Sequence, residues 1–321
     1  MPRARKHLVC VSETPYYHVY SRCVRRAFLC GVDKLTGKDY EHRRGWIEDR
    51  VRVLSSLFSV ELCAYAIMSN HYHLVVKLNP DMPERWSDDE VLNRWTALYR
   101  GPLLVQRYRE GEALSPAERD AVGSIAAVYR ARLGNLSWFM KCLNEPIARK
   151  ANAEDGCSGH FWEARFQSQP LCSEKALLTA MAYVDLNPIR AGIAKTPEQS
   201  AYTSIRARLH DETNRALRNA VARLIKRKEL NHFNVPVRPL TSFANRGTTT
   251  ADTSLPMKET EYLKLVDMTG RIVVRGKRGR IDPALAPILE RLGLTTDEWT
   301  KGATAFRQHY RNGDVRLTKV A

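Results

Sequence analysis

The chain has 321 residues, 44% of them hydrophobic, and its 51 lysines and arginines outweigh 35 acidic residues to give a net charge of +16. That is apolar material for a sizeable core, and the positive excess points to a polyanionic partner, nucleic acid first. The cysteines (10, 23, 30, 63, 142, 157 and 172) show no Cys-x-x-Cys spacing, so reduced thiols in a cytosol are expected. No apolar run nears the roughly 18 residues that cross a bilayer. The apolar residues 8–11 are too few for a signal-peptide core. The expectation is a soluble cytoplasmic protein with no membrane partner.

Residues 16–22 alternate and are rich in aromatic and β-branched types, which predicts a first strand. A helix is expected over 44–57, where Ile47, Val51, Leu54 and Phe58 recur at helical spacing. Residues 60–68 and 72–78 read as two strands meeting at Ser69, Asn70 and His71, with Asn70 a natural turn residue. The charged segment 80–131 is expected to be an inserted helical region. Another helix over 133–153 carries Pro146, and residues 159–168 are strand-like. Residues 173–186 give the clearest helix, with Ser173 as N-cap and Leu177, Leu178, Met181 and Val184 as its stripe. Asn187-Pro188 should end or kink it, because the residue before proline avoids the α region. The order of elements predicts an α+β sheet with helices on one face, within a domain spanning 1–200. Beyond it come a basic helical extension over 201–240, a linker near 240–255, and a small helical module over 257–321. In that module residues 258–268, 283–292 and 296–309 are helical, and the Gly293 turn is compatible with a helix-turn-helix. Residues 271–280 hold five basic side chains, a phosphate-binding hairpin or a solvated loop.

The chemistry concentrates at His71-Tyr72-His73. Positions i and i+2 of a strand share a face, so the two imidazoles project side by side, as the start of a metal site or as two polar residues on a half-exposed strand. Tyr183 and Asn187 are four apart and share a helical face. A tyrosine hydroxyl can attack a phosphodiester when a metal polarises the phosphoryl group, and an amide oxygen one turn away suits Mg²⁺ or Mn²⁺ beside two imidazoles. Tyr183 is otherwise a packed amphipathic aromatic.

His71-Tyr72-His73 resembles the HUH motif (His, a bulky hydrophobic residue, His) of the single-tyrosine nucleases. The run from Tyr183 to Gly192 resembles the tyrosine-helix signature of the REP-associated tyrosine transposases. Residues 16–22 resemble their first strand, and Phe161 to Phe166 their tryptophan-containing strand. The resemblance covers roughly residues 14–195, with the four pieces in order. It implies a ferredoxin-like antiparallel sheet and cleavage of single-stranded DNA beside a hairpin formed by a repeated palindrome. It carries over Tyr183 as nucleophile, bonded to the 5′-phosphate, with His71, His73 and Asn187 as ligands of Mg²⁺ or Mn²⁺ and no other cofactor. Glu163 is a rival third ligand, and an ion pair with an arginine is its bland alternative. Tyr72 should point away from the histidines. The DNA-binding candidates are Arg22, Arg25, Arg26, Arg190, Arg275, Lys277 and Arg278, with Arg43 and Arg44 beside the first helix. Tyr16, Tyr17, Trp138 and Phe139 are candidate stacking platforms or core residues. The segment 80–131 and the last 120 residues have no counterpart in the compact members. A DNA-binding regulator that no longer cuts is the alternative, and an unrelated metallohydrolase a third reading. Oligomeric state stays open, and the expected location is the bacterial cytoplasm, in association with the nucleoid. The nuclease reading requires the Tyr183 hydroxyl to be accessible and within about ten ångströms of a cation held by the two imidazoles.

Overall fold

In the first strand Tyr17 and Val19 are fully buried, whereas Tyr16, Tyr20 and Arg22 are half-covered. The face with Tyr17, Val19 and Ser21 is wholly buried, whereas on the other only His18 is, so the two faces of the strand meet different surroundings. The computed structural model of the chain describes residues 10–24, 29–33, 37–210, 213–244 and 254–281. Strand β1 (Tyr16–Arg22) leads to helix α1 (His42–Leu57), then to the hairpin of β2 (Val60–Ile67) and β3 (His71–Leu78). Helices α2 (Asp88–Leu98), α3 (Leu103–Arg109) and α4 (Pro116–Leu133) follow, in the segment expected to be an inserted helical region. Then come α5 (Leu136–Glu154), β4 (Gln167–Pro170) and α6 (Glu174–Asp185).

The sheet order is β2-β3-β1-β4 and every pairing is antiparallel. Taking α1 and α5 as the two crossovers, the order β-α-β-β-α-β on this sheet is ferredoxin-like. The α+β expectation is thus met. Ile47 and Leu54 of α1 and Phe139 and Leu143 of α5 share one apolar cluster with Tyr17, Val19, Tyr72 and Leu74 of the sheet. Fully burying such side chains contributes about 1.5–3 kcal/mol each.

Helices do not stop at that face. Cys63, Ala64, Ala66 and Val75 form a second cluster with Ala176, Ala180, Met181 and Val184 of α6. The small side chains of β2 under α6 let the helix lie close to the strands. A register shift between Leu62 and Ala64 bulges β2, so that Cys63 and Ala64 both join this cluster. The sheet is therefore covered on both sides, because its second face is as apolar over β2 as the first.

After α6 come the short helix α7 (Asn187–Arg190), then α8 (Ser204–Leu209), α9 (Thr213–Lys226) and α10 (Glu259–Arg271). Leu217, Ala220 and Leu224 of α9 join the first cluster, and Tyr262, Leu265 and Val266 of α10 join the second. Of the strand-like segment 159–168 only its end pairs, as β4, while Trp162 makes an isolated bridge to Cys23. The Trp162 indole N–H instead donates to the Asn144 carbonyl of α5. The expected helices over 283–292 and 296–309, and the helix-turn-helix between them, lie outside the described residues. Among the described residues no helix is long and apolar enough to cross a membrane.

Candidate active site

Register decides which side chains meet. In the β1–β3 ladder Tyr20 pairs with His73 and Arg22 with His71, and in the β1–β4 ladder His18 pairs with Gln169. Residues directly opposite one another share a face. His18, Tyr20, Arg22, His71, His73 and Gln169 therefore project toward the side that α6 covers. The rings of His71 and His73 lie 4.8 Å apart and nearly perpendicular.

Helix α6 starts where the sequence predicts. The Ser173 hydroxyl accepts from the Ala176 amide at 3.1 Å, capping the first turn. The helix ends at Asp185, and Pro188 sits in the first turn of α7, so the chain turns at Asn187 without leaving helical geometry. The Tyr183 ring meets His73 edge-on at 5.6 Å and His18 at 6.1 Å. The Asn187 side-chain amide donates to the Tyr183 carbonyl at 3.0 Å, one turn back, which leaves Oδ1 as its acceptor atom. The Tyr183 and His73 rings are thus neighbours. The accessibility that the nuclease reading requires is not met: the Tyr183 hydroxyl oxygen is shielded from solvent in this conformation, and the residue, partly buried, packs against the second cluster.

Hydrogen bonds set the faces of both imidazoles. His71 Nδ1 lies against the Asn70 side-chain oxygen. Gln169 Oε1 is 3.1 Å from His18 Nδ1, and His18 Nε2 is 2.9 Å from His73 Nδ1. With Nδ1 engaged in each ring, any coordination by His71 and His73 would run through Nε2, the usual pattern when the other ring N–H is held by an acceptor. Among the described residues no group of three His, Cys, Asp or Glu side chains is placed to hold a metal. A divalent ion here would take its remaining ligands from amide, phosphate and water oxygens, which suits hard cations such as Mg²⁺ or Mn²⁺.

The other candidates divide. Tyr72 points away from the histidines, donates to the Asn144 side chain and has its hydroxyl pKa driven up by burial. Glu163 is exposed and stands opposite Arg22, its amide donating to the Arg22 carbonyl at 2.9 Å, while its neighbour Trp162 turns to the Tyr72 side. Arg43 is fully buried against Glu154 and Asp155, and Arg44 donates to the Ile67 carbonyl. These two are braces between elements and not phosphate contacts. Tyr17 and Phe139 are core residues, whereas Tyr16 and Trp138 are half-exposed. Arg190 is spent on structure: its guanidinium donates to the carbonyls of Thr269 and Ile272 at 2.6 Å each. Arg275, Lys277 and Arg278 are exposed on the loop that Arg190 holds. Arg25 and Arg26 lie outside the described residues.

Sequence reasoning missed His18, Gln169 and Tyr20. Tyr20 lies 5.7 Å from His73, ring to ring, so the site contains a second phenol. The alternation Tyr16, His18, Tyr20, Arg22 was visible and does put all four on one face. Which strand lies beside them depends on long-range register, which no local pattern encodes.

No family model matches the chain, and no curated protein matches it. Among solved structures, one titled as a REP-associated tyrosine transposase bound to a REP hairpin matches at 12% identity and a TM-score of 0.34, over 65% of this chain and 86% of that one. A superposition this loose sets no correspondence between residues, and the reading that follows rests on the geometry above.

Proposed function

We propose that the protein is a metal-dependent single-stranded DNA endonuclease or strand transferase of transposase type, working through a covalent tyrosine intermediate. One observation carries this reading: the ring of Tyr183, on α6, meets His73 edge-on at 5.6 Å, and His73 lies 4.8 Å from its motif partner His71, ring to ring. The motifs resembling REP-associated tyrosine transposases supply the substrate class, a single strand beside a hairpin of a repeated palindrome.

His71 and His73 would hold the ion through Nε2 and Asn187 through Oδ1. Bound there, Mg²⁺ or Mn²⁺ would polarise the phosphoryl oxygens of the substrate. Attack requires the partly buried Tyr183 side chain to turn so that its oxygen reaches the phosphorus. Its oxygen bonds to phosphorus, the P–O3′ bond breaks, and the departing 3′-oxygen takes up a proton in place of the one the phenol gave up. The strand downstream stays on the protein as a 5′-phosphotyrosine and the upstream strand leaves with a 3′-hydroxyl. The phosphotyrosine conserves the phosphodiester's energy for rejoining. Arg22, opposite His71, and the exposed Arg275, Lys277 and Arg278 would contact backbone phosphates.

A hairpin oligonucleotide with a single-stranded flank, labelled at its 3′ end and incubated with protein and Mn²⁺, tests this. The label is expected to migrate with the protein on a denaturing gel, and Tyr183→Phe to abolish the band. Tight binding with no adduct would instead mark a DNA-binding regulator. Cleaved product with no protein-linked label would mark a hydrolase.

A further inference from the structure

Two buried imidazoles in hydrogen-bond contact pose a proton-counting problem. His18 and His73 are 3% and 1% exposed, so a charge on either is costly and neutral rings are favoured. A neutral imidazole has one N–H and one lone pair. Their contact, 2.9 Å from His18 Nε2 to His73 Nδ1, holds a single proton. The end of the chain decides whose it is. Gln169 Oε1, 3.1 Å from His18 Nδ1, only accepts. His18 therefore carries its proton on Nδ1 and presents a lone pair at Nε2. His73 must then carry its proton on Nδ1.

We infer that His18, oriented by Gln169, is a positioning residue that fixes His73 as the tautomer protonated on Nδ1, so that Nε2 keeps its lone pair toward the site between β3 and α6. The inference rests on the proposed metal-dependent reading for its purpose, but not for its geometry. Its construction is economical: Gln169 lies directly opposite His18 in the β1–β4 ladder, and His18 is two residues from Tyr20, the cross-strand partner of His73. The chain Gln169, His18, His73 thus runs across three adjacent strands on the face that α6 covers. The packing supports it, since the His18 and His73 rings lie side by side within 19° of coplanar, centroids 5.1 Å apart, as an in-plane hydrogen bond requires, and the Tyr183 ring meets both edge-on. His71 reaches the same tautomer by a shorter route, through the side chain of its neighbour Asn70. The two imidazoles of the motif thereby present the same nitrogen.

The test uses the full-length protein without DNA. Mn²⁺ binding is measured by calorimetry, and the protonated nitrogen of His73 is read from long-range ¹H–¹⁵N spectra of the metal-free protein. Removing a partner that orients a histidine ligand typically costs 10- to 100-fold in metal affinity. His18→Leu and Gln169→Leu are expected to weaken Mn²⁺ binding by about that much. His18→Gln, which returns an acceptor oxygen toward His73, is expected to recover most of the loss. Gln169→Glu, whose oxygens only accept, is expected to bind at least as tightly as the wild type. A purely structural role would not rank these variants by acceptor capacity. The inference is overturned by a His73 protonated on Nε2 in the wild type, or by a folded His18→Leu that binds Mn²⁺ undiminished. Should His18→Leu not fold, the pair Gln169→Leu and Gln169→Glu, at a half-exposed position, decides in its place. A wild type that binds no Mn²⁺ would fell the metal-dependent reading, and the nitrogen spectrum would then decide the tautomer on its own.

Discussion

Asp185 shows how a single side chain holds the tyrosine helix in place. It is fully buried between Tyr183 and Asn187, and its carboxylate accepts from the Ser204 hydroxyl, the Ile205 amide at 3.0 Å and the Tyr262 hydroxyl at 2.6 Å. Burial pushes its carboxyl above the usual range, and the Ser204 and Tyr262 donors and nearby Arg208 only partly offset this. An acid whose folded pKa is raised holds its proton longer when folded. Its contribution to stability is therefore greatest below about pH 4 and falls as pH rises toward the folded value. Asp185→Asn lacks that slope. Urea midpoints of the two proteins between pH 3 and 7 are expected to diverge in favour of Asn as pH rises, and a constant gap would contradict the assignment. Asp185→Ala leaves three donors without their acceptor, at about 1–3 kcal/mol each, and is expected to lower stability severely in the same measurement. None of this was legible in the sequence, where Asp185 is one acidic residue on an amphipathic helix. Its partners arrive from α8 and α10, far along the chain.

At the scale of elements, the loop after α10 is strapped to the turn that carries Asn187. Arg190 donates to Thr269 and Ile272, and the Arg278 amide returns a bond to the Arg190 carbonyl at 3.2 Å. Gly279 completes the strap, because a Cβ there would overlap the Ile189 carbonyl oxygen. Gly279→Ala is therefore expected to undock the loop. The readout is trypsin cleavage after Arg275 and Lys277, expected to quicken several-fold while the circular dichroism stays native. Unchanged cleavage would contradict the docking. Helix α6 was legible because its cap, stripe and Asn-Pro stop are all local. The β2–β3 hairpin was legible because its apolar runs flank Asn70. The strand expected over 159–168 was not, because Trp162 and Glu163 are placed by α5 and by the end of β1 and not by their own alternation. The strap was not legible either, since a run of five basic residues reads equally as a solvated loop.

For the molecule as a whole, the net charge of +16 overstates its surface for DNA. Many arginines serve as internal braces: Arg50 donates to the Cys142 carbonyl, Arg94 to those of Ser56 and Leu57, and Arg208 to those of Cys63 and Thr241. A guanidinium offers five donors in a planar fork, so it can satisfy carbonyls from two segments at once. Composition could not separate these from phosphate ligands; Arg43, Arg44 and Arg190 likewise turn their guanidinium groups to carboxylates and carbonyls of the protein itself. The exposed loop residues should carry the electrostatic contact instead. Replacing Arg275, Lys277 and Arg278 together with glutamine is expected to reduce the salt-dependence slope of single-strand binding by about 2, at about 0.7 per phosphate contact. An unchanged slope would place the DNA elsewhere. The most direct test of the central claim is the identity of the residue that DNA becomes attached to, because Tyr20 and Tyr183 stand at nearly equal distances from His73. After reaction with a hairpin substrate and Mn²⁺, tryptic peptides should carry the nucleotide mass on Tyr183. A nucleotide on Tyr20, or on no tyrosine while the DNA is cut, would contradict the account.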